Sequence, residues 1–511
     1  MLPVERENLI RVSLVSIMEI LRLAGQRAEA EGSAMDAQIR LGESKLRLDQ
    51  LWVEKEQYRT QLMAAEHRND LTAEESPVRS SFEVSLFADA RRILLGLRRH
   101  YSGETQSLAP SGRAFGDDCG RSVLASVLAR QDRVAFPKVS RPKVSVIVVL
   151  RNKAHLSILC LCSLLLATAV DYELIIVDND SSDETADVLR LVDSATVIRH
   201  RENLGFGPTV AEVASRASGE FLCLLNNDML LQQRSLASLL GVFAERPDAG
   251  AVGGMIRLAD GRLQEAGCIV WRDGTVRQWG RGCDPHLPKY CFRRPVDYCS
   301  AACLVTPRLL FQAVGGLDDR YAPAYYEDVD YCMKLWNVAR PVFYEPRSVV
   351  HHYESASSPS LLGTREMILV NHRRFVDRWR TKLDAHQMDG PKTITRARFA
   401  AQSGSPSCLY FLGKLPERLS DWFLDPRLQR IRSRVRDRNL IICIHMGEDG
   451  DPQLRSSFPI DVELRGLNSM EIDEVDDYCH ASDMIVVAAA QHVSSGIGSI
   501  LEKYSTKVLR D

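Results

Sequence analysis

Val144-Ser-Val-Ile-Val-Val-Leu150 has almost no polar face, and no other stretch constrains the fold as much. A strand with one face in water alternates polar and apolar residues. A strand that is apolar on both faces must be covered on both, as in a parallel sheet flanked by helices. The next residues supply such a cover. Leu156–Val170 is a 15-residue apolar run without a charge, shorter than the roughly 20 residues a membrane span requires, and it reads as a buried helix. A second buried strand, Glu173–Val177, runs into the acidic loop Asp178-Asn-Asp-Ser-Ser-Asp183, where Ser181 and Glu184 have the spacing of a capping box. A third strand, Thr196–Ile198, precedes a helix near Thr209–Arg216, and a fourth, Glu220–Leu225, ends in Asn226-Asn227-Asp228. Alternation of strand and helix predicts an α/β domain with a parallel sheet. Ligands of such sheets lie beyond the carboxyl ends of the strands, where Asp178 and Asp228 fall.

This alternation fills only part of a 511-residue chain, long enough for several units. Residues 1–70 are rich in Ala, Leu, Glu, Arg and Gln. Leu48, Leu51, Tyr58 and Leu62 fit a heptad seam, so the segment reads either as a coiled coil that makes a homo-oligomer or as a helical hairpin on its own chain. Residues 71–142 hold a predicted helix, Phe82–His100, and a linker. The α/β domain spans 143–385 and a basic connector spans 386–438. Residues 439–511 resemble half of a Rossmann-like unit, with strands Leu440–Ile444 and Met484–Ala488. In the connector, Arg427, Arg430, Arg432, Arg434, Arg436 and Arg438 offer either a peripheral contact with anionic lipid or a solvated helical face. The N-terminal apolar stretch carries Arg11, Glu19 and Arg22 and is no signal peptide. A net charge of −2 provides no field for nucleic acid. Thirteen cysteines without a CxxC pair argue against a zinc ribbon and for a reduced, cytoplasmic chain.

The two acidic loops suggest a nucleotide and a metal. Asp228 is a hard oxygen ligand suited to Mg²⁺ or Mn²⁺ bridging a diphosphate, and Asp178 could accept from a base N–H or a ribose hydroxyl. Taken singly, each aspartate serves equally well as a cap of the element after it.

Further motifs follow in order: Glu202-Asn-Leu-Gly-Phe-Gly207, Asp260-Gly-Arg-Leu-Gln-Glu-Ala-Gly267, Gly315-Gly-Leu-Asp318, Tyr325-Tyr-Glu-Asp-Val-Asp-Tyr331 and Pro346-Arg-Ser-Val-Val-His-His-Tyr-Glu-Ser-Ala-Ser357. With Val-Asp-Asn-Asp and Leu-Leu-Asn-Asn-Asp, this series resembles glycosyltransferase family 2. These are inverting enzymes of GT-A fold, and the likeness is greatest to bacterial members that build O-antigen, capsule or cell-wall polysaccharide, rhamnosyltransferases among them. The resemblance covers about Lys143–Lys382. It implies that Asp178, Asn152, Asn226 and Asn227 bind the nucleotide sugar and that Asp228 holds the metal. It also implies an acidic pair, Glu327 and Asp328, near the acceptor, with Asp328 as general base, and a histidine completing the metal and diphosphate site. His352 suits that role better than His351. Asp328 and Asp330 both sit near one helix start, so Asp330 competes as base. Two positions depart from the family pattern: Ser300-Ala-Ala302 stands where a Ser-Gly-Ala run is common, and Arg151 follows the first strand.

The expected activity is therefore transfer of a hexose-type sugar from a UDP-, dTDP- or GDP-linked donor to a glycan or lipid-linked acceptor at the inner face of the cell membrane. The competing expectation is a non-catalytic nucleotide-binding scaffold of the same fold.

Overall fold

The computed structural model describes residues 112–131, 133–168, 170–353, 361–390 and 397, and, towards the C-terminus, 407–413, 440–445, 461–482, 484–487 and 495–510. All belong to one compact unit, Ser80–Arg418 with Asp425–Asp511. The expected coiled coil of 1–70, the helix Phe82–His100 and the arginine-rich stretch 427–438 lie outside the described residues.

Helix α1 (Gly112–Arg130) precedes the sheet. Strand β1 (Val144–Leu150), helix α2 (Ala154–Ala167), β2 (Tyr172–Asn179), β3 (Thr196–His200), α3 (Phe206–Ala214) and β4 (Phe221–Asn226) follow. These are the elements read from the sequence, with ends shifted by up to three residues. Next come β5 (Met229–Leu231), α4 (Ser235–Glu245), β6 (Ala251–Leu258), β7 (Leu263–Glu265), β8 (Arg294–Val296) and β9 (Cys303–Pro307). Helix α5 (Glu327–Asn337), β10 (Val342–His352) and α6 (Leu361–Leu383) close the domain.

The sheet runs β8-β10-β6-β9-β4-β1-β2-β3, with β5 on β10 and β7 on β6. Its half β4-β1-β2-β3 is parallel, as expected. The other half is mixed: β9 runs antiparallel between β4 and β6, while β6 and β10 are parallel. The order reverses at β1, so the crevice between the carboxyl ends of β1 and β4 is where a ligand of such a sheet belongs. Two apolar clusters, one on each face, bury all of β1 but Val149, and α2 is almost wholly buried.

Helix α1 begins in a stretch rich in Ser and Gly, where propensity argues against helix. It forms because Val123, Leu124 and Val127 pack into the core. Gly120 lies so close to α2 that a Cβ there would stand 2.7 Å from the His155 carbonyl oxygen. The anticipated capping box does not form. The helix after β2 starts only at Thr185, where Asp183 Oδ1 accepts from the Thr185 N–H at 3.1 Å. Ser181 Oγ instead accepts from the Asn152 N–H at 2.8 Å.

The C-terminal residues form a sheet of five parallel strands in the order Val462–Gly466, Leu440–His445, Ser407–Gly413, Met484–Val487, Val508–Arg510. Its central strand, Ser407–Gly413, comes from the stretch read as connector, and its Leu409 and Phe411 are core residues. Arg293, 1% exposed, ties this sheet to the larger one: its guanidinium meets Glu345 at 2.8 Å, Glu245 at 2.6 Å and Asp461 at 3.5 Å. Among the described residues no helix is long and apolar enough to cross a membrane.

Candidate active site

The carboxyl ends of β1, β2 and β4 and the start of α5 bring most of the singled-out residues to one side of the sheet. Asp178 closes β2 and is 1% exposed. Its Oδ1 accepts from the Ser181 N–H at 3.0 Å, and its Oδ2 accepts from Arg199 Nε at 3.1 Å. The aspartate thus shapes its own loop while a largely exposed arginine neutralises it. Asn152, left-handed at φ 57°, reaches across to this loop, and its Oδ1 accepts from the Ser182 N–H at 2.7 Å. Asn227 serves the framework: its Nδ2 donates to Ser157 Oγ at 2.9 Å and to the Asn152 carbonyl at 3.3 Å. Asn226 is half-buried at the end of β4, and its backbone N–H donates to the Ala302 carbonyl at 2.9 Å.

Asp228 and His352 face one another. Asp228 Oδ1 is buried, accepts no hydrogen bond and lies 3.2 Å from His352 Nε2. The other ring nitrogen of His352 is 2.8 Å from Gln264 Oε1, an oxygen that can only accept. Nδ1 must therefore carry a hydrogen, and in the neutral ring Nε2 turns a lone pair towards the carboxylate. Two acceptors in opposition fit a cation between them, with Gln264 fixing the tautomer as outer partners of metal-bound histidines do. Among the described residues no third metal-ligating side chain converges there. His351 is excluded by the period of the strand, which turns it to the opposite face. It lies 2.9 Å from Gln232 Nε2, and burial, then Arg257, push its pKa down to about 3.

The acidic pair opens α5. Glu327 is buried, and its Oε2 accepts no hydrogen bond; burial, then the adjacent Asp328, push its pKa well up. Asp328 is half-buried. Burial raises its pKa too, but the Ala301 N–H donates to Oδ2 at 3.2 Å and the Val329 N–H to Oδ1 at 2.8 Å, which favours its ionised form. The two carboxyls titrate as a pair, with backbone donors favouring ionised Asp328 and none on the Oε2 of Glu327. Asp330 has a different task. At 0% exposure it accepts from Trp379 Nε1 at 2.8 Å and the Tyr321 hydroxyl at 3.1 Å, and pairs with Lys334 at 3.2 Å and Arg378 at 3.3 Å. It joins α5 to α6 and faces no open space. Asp330→Ala would leave the buried Lys334 with Asp318 at 3.9 Å as its remaining carboxylate, while the half-buried Arg378 keeps Asp318 at 2.6 Å, so a loss of about 3 kcal/mol of stability is expected in chemical denaturation.

Three residues that the sequence reading gave no role complete the site: Gln264 and Glu265 on β7, and Ser300 before β9. The turn Ser300-Ala301-Ala302 holds its parts together. Its first N–H donates to Glu265 Oε1 at 3.1 Å, its second to Asp328, and its last carbonyl accepts from Asn226. Ala301, the departure from the Ser-Gly-Ala pattern, is buried, so its methyl points into protein. The signal for β7 was present in Asp260–Gly267, a stretch with no obvious chemistry of its own.

Burial pushes the Glu265 pKa from 4.5 up to about 7. The unfolded chain releases this proton near pH 4.5 and the folded chain near 7. The stabilisation is therefore complete below pH 4.5 and disappears as pH rises to 7, by roughly 3 kcal/mol. Glu265→Gln, which stays neutral, should flatten the fall in denaturation midpoint across that window.

The comparisons with known proteins bear on the domain as a whole. The family model described as "Glycosyl transferase family 2" matches residues 145–282. Those residues are a family 2 glycosyltransferase domain. Its α/β class is the one expected. The domain is similar to the O-antigen biosynthesis protein RfbC of Myxococcus xanthus, 28% identical over 50% of this chain and 22% of that one. It is likewise similar to the N-acetylglucosaminyl-diphospho-decaprenol L-rhamnosyltransferase of Mycobacterium tuberculosis, 28% identical over 39% of this chain and 72% of that one. Two of the curated relatives are matched over less than a third of their length. A solved structure of GalNAc-T7 with UDP, GalNAc and Mn²⁺ shares 14% identity at a TM-score of 0.38, over 55% of this chain and 59% of that one. At that score the likeness is remote.

Proposed function

We propose that the chain is an inverting, metal-dependent glycosyltransferase that moves a sugar from a nucleoside-diphosphate donor to a glycan or lipid-linked saccharide. The observation that carries this reading is the opposition of Asp228 Oδ1 and His352 Nε2 at 3.2 Å, on the same side of the sheet as the ionisable Asp328. Inversion is one in-line displacement, which needs a base on one face of the sugar and charge neutralisation on the other. Asp228 and His352 would hold Mg²⁺ or Mn²⁺, which when bound neutralises the departing diphosphate. Asp178 and Asn152 would shape the pocket for the nucleoside. Asp328 would take the acceptor hydroxyl's proton, while Glu327 donates a hydrogen bond to an acceptor oxygen. The rhamnosyltransferase and O-antigen relatives support a role in bacterial polysaccharide assembly.

The test is release of nucleoside diphosphate from UDP-, dTDP- and GDP-sugars with saccharide acceptors, with and without EDTA. Metal-dependent release with one donor class is expected. Nucleotide binding without release from any donor would support the non-catalytic reading instead.

The same geometry predicts the effect of the residue behind the ligand. Gln264→Leu should weaken metal-dependent binding of the nucleoside diphosphate by about 10–100-fold, the usual cost of losing an outer partner of a metal-bound histidine. Calorimetry with Mn²⁺ checks it.

A further inference from the structure

The two residues before Glu327, Tyr325 at φ 74° and Tyr326 at φ 75°, are both left-handed. That conformation is a genuine outlier for a bulky side chain, and it persists only where the surroundings over-determine it. The direction in which α5 starts, and so the placement of both carboxyls, depends on this turn.

One side chain reaches the backbone of the turn at three points. Asn371, on α6 and 1% exposed, directs Nδ2 at the carbonyls of Tyr321 at 2.8 Å, Ala324 at 2.9 Å and Tyr325 at 3.0 Å. Its Oδ1 accepts from Arg374 Nη1 at 3.0 Å, which fixes the amide orientation, because a flipped amide would turn oxygen towards three oxygens. The loop is also held from the nucleotide side. Gly205, in Glu202–Gly207, adopts φ 85°, and a Cβ there would stand 2.7 Å from Pro323, while the Phe206 N–H donates to the Pro323 carbonyl at 2.9 Å. The loop 318–326 is thus clamped between α3 and α6, and Asn371 is the clamp on its acidic-pair side.

We propose that Asn371 is a positioning residue for the Glu327–Asp328 pair, holding the Tyr325–Tyr326 turn in its left-handed form. This deepens the functional reading above and rests on it. Asn371 touches neither the carboxyls nor the Asp178–Asp228 crevice. Its loss should therefore leave donor binding intact and lower the rate of the transfer step, where a 1 Å misplacement can cost on the order of 100-fold.

The experiment uses the full chain and Asn371→Asp, which keeps the volume but offers oxygen in place of the N–H donors. Expected are a 10–100-fold fall in single-turnover transfer, an unchanged Kd for nucleoside diphosphate with Mn²⁺, and faster amide exchange confined to 318–331. Asn371→Gln, which keeps an amide, should retain part of the rate. Tyr325→Gly added to Asn371→Asp should slow exchange again, because glycine adopts positive φ without a Cβ penalty. Wild-type transfer and exchange in Asn371→Asp would overturn the proposal. So would a loss spread over the whole domain in both Asn371 variants, or failure of the added glycine to restore protection. If the wild-type chain transfers no sugar at all, the functional reading fails, while the exchange measurements still decide what Asn371 does.

Discussion

Asp328→Asn is expected to slow sugar transfer about 10²–10⁴-fold, the range that general-base catalysis contributes. Asparagine keeps the shape, but its one oxygen can accept from only one of the Ala301 and Val329 N–H groups that hold the two oxygens of Asp328, and it cannot take a proton from an acceptor hydroxyl. The fold should survive, since one backbone hydrogen bond is lost, at about 1–3 kcal/mol, and no ion pair of Asp328 among the described residues is broken. Donor affinity should barely move, because Asp178, Asp228 and His352 are untouched. Glu327→Gln should cost less: burial pushes the pKa of its carboxyl well up, and glutamine retains a hydrogen-bond donor there. Asp330 variants should lose stability first and rate only as a consequence. Single-turnover transfer, donor calorimetry and chemical denaturation on the three variants separate these roles. Near-normal transfer by a folded Asp328→Asn protein would remove this carboxylate from the mechanism.

Asp228→Ala is expected to abolish the coupling between metal and nucleotide. Loss of even an outer partner of a metal site costs about 10–100-fold. Removing one of two protein ligands, at a site with no third among the described residues, should exceed about 100-fold in metal-dependent affinity and stop turnover. Calorimetry of nucleoside diphosphate with and without Mn²⁺ reads this directly. His352→Ala should weaken the coupling in part, since the carboxylate and the diphosphate oxygens remain. His351→Ala should leave it alone, because that ring lies on the other face of β10 against Gln232. Unchanged coupling in Asp228→Ala would refute the metal assignment.

The parallel half of the fold was legible because burial on both faces leaves its mark in every residue of a strand. β1 and β2 read as apolar runs, and the acidic residues at their ends stood out against them. The mixed half was not legible in the same way. β7 is three residues long, and Gln264 and Glu265 are polar residues in a buried strand, which pattern alone assigns to a loop. Helix α1 and strand Ser407–Gly413 were hidden for a related reason. Their neighbours in sequence look like linker, and only packing against α2 and against the C-terminal strands makes them ordered elements.

The sequence by itself determined the α/β class, the two acidic loops, the acidic pair and the histidine doublet, because local composition and strand period are properties of contiguous residues. Tertiary structure alone decided what those residues face. It set Asp228 3.2 Å from His352 Nε2, gave Asp330 to a framework ion pair, made Ser300–Ala302 the hinge point of the site and placed Asn371 under a strained turn. Such relations join residues tens to more than a hundred positions apart. They exist only once the chain has closed on itself, when burial removes water as the alternative partner for every polar group.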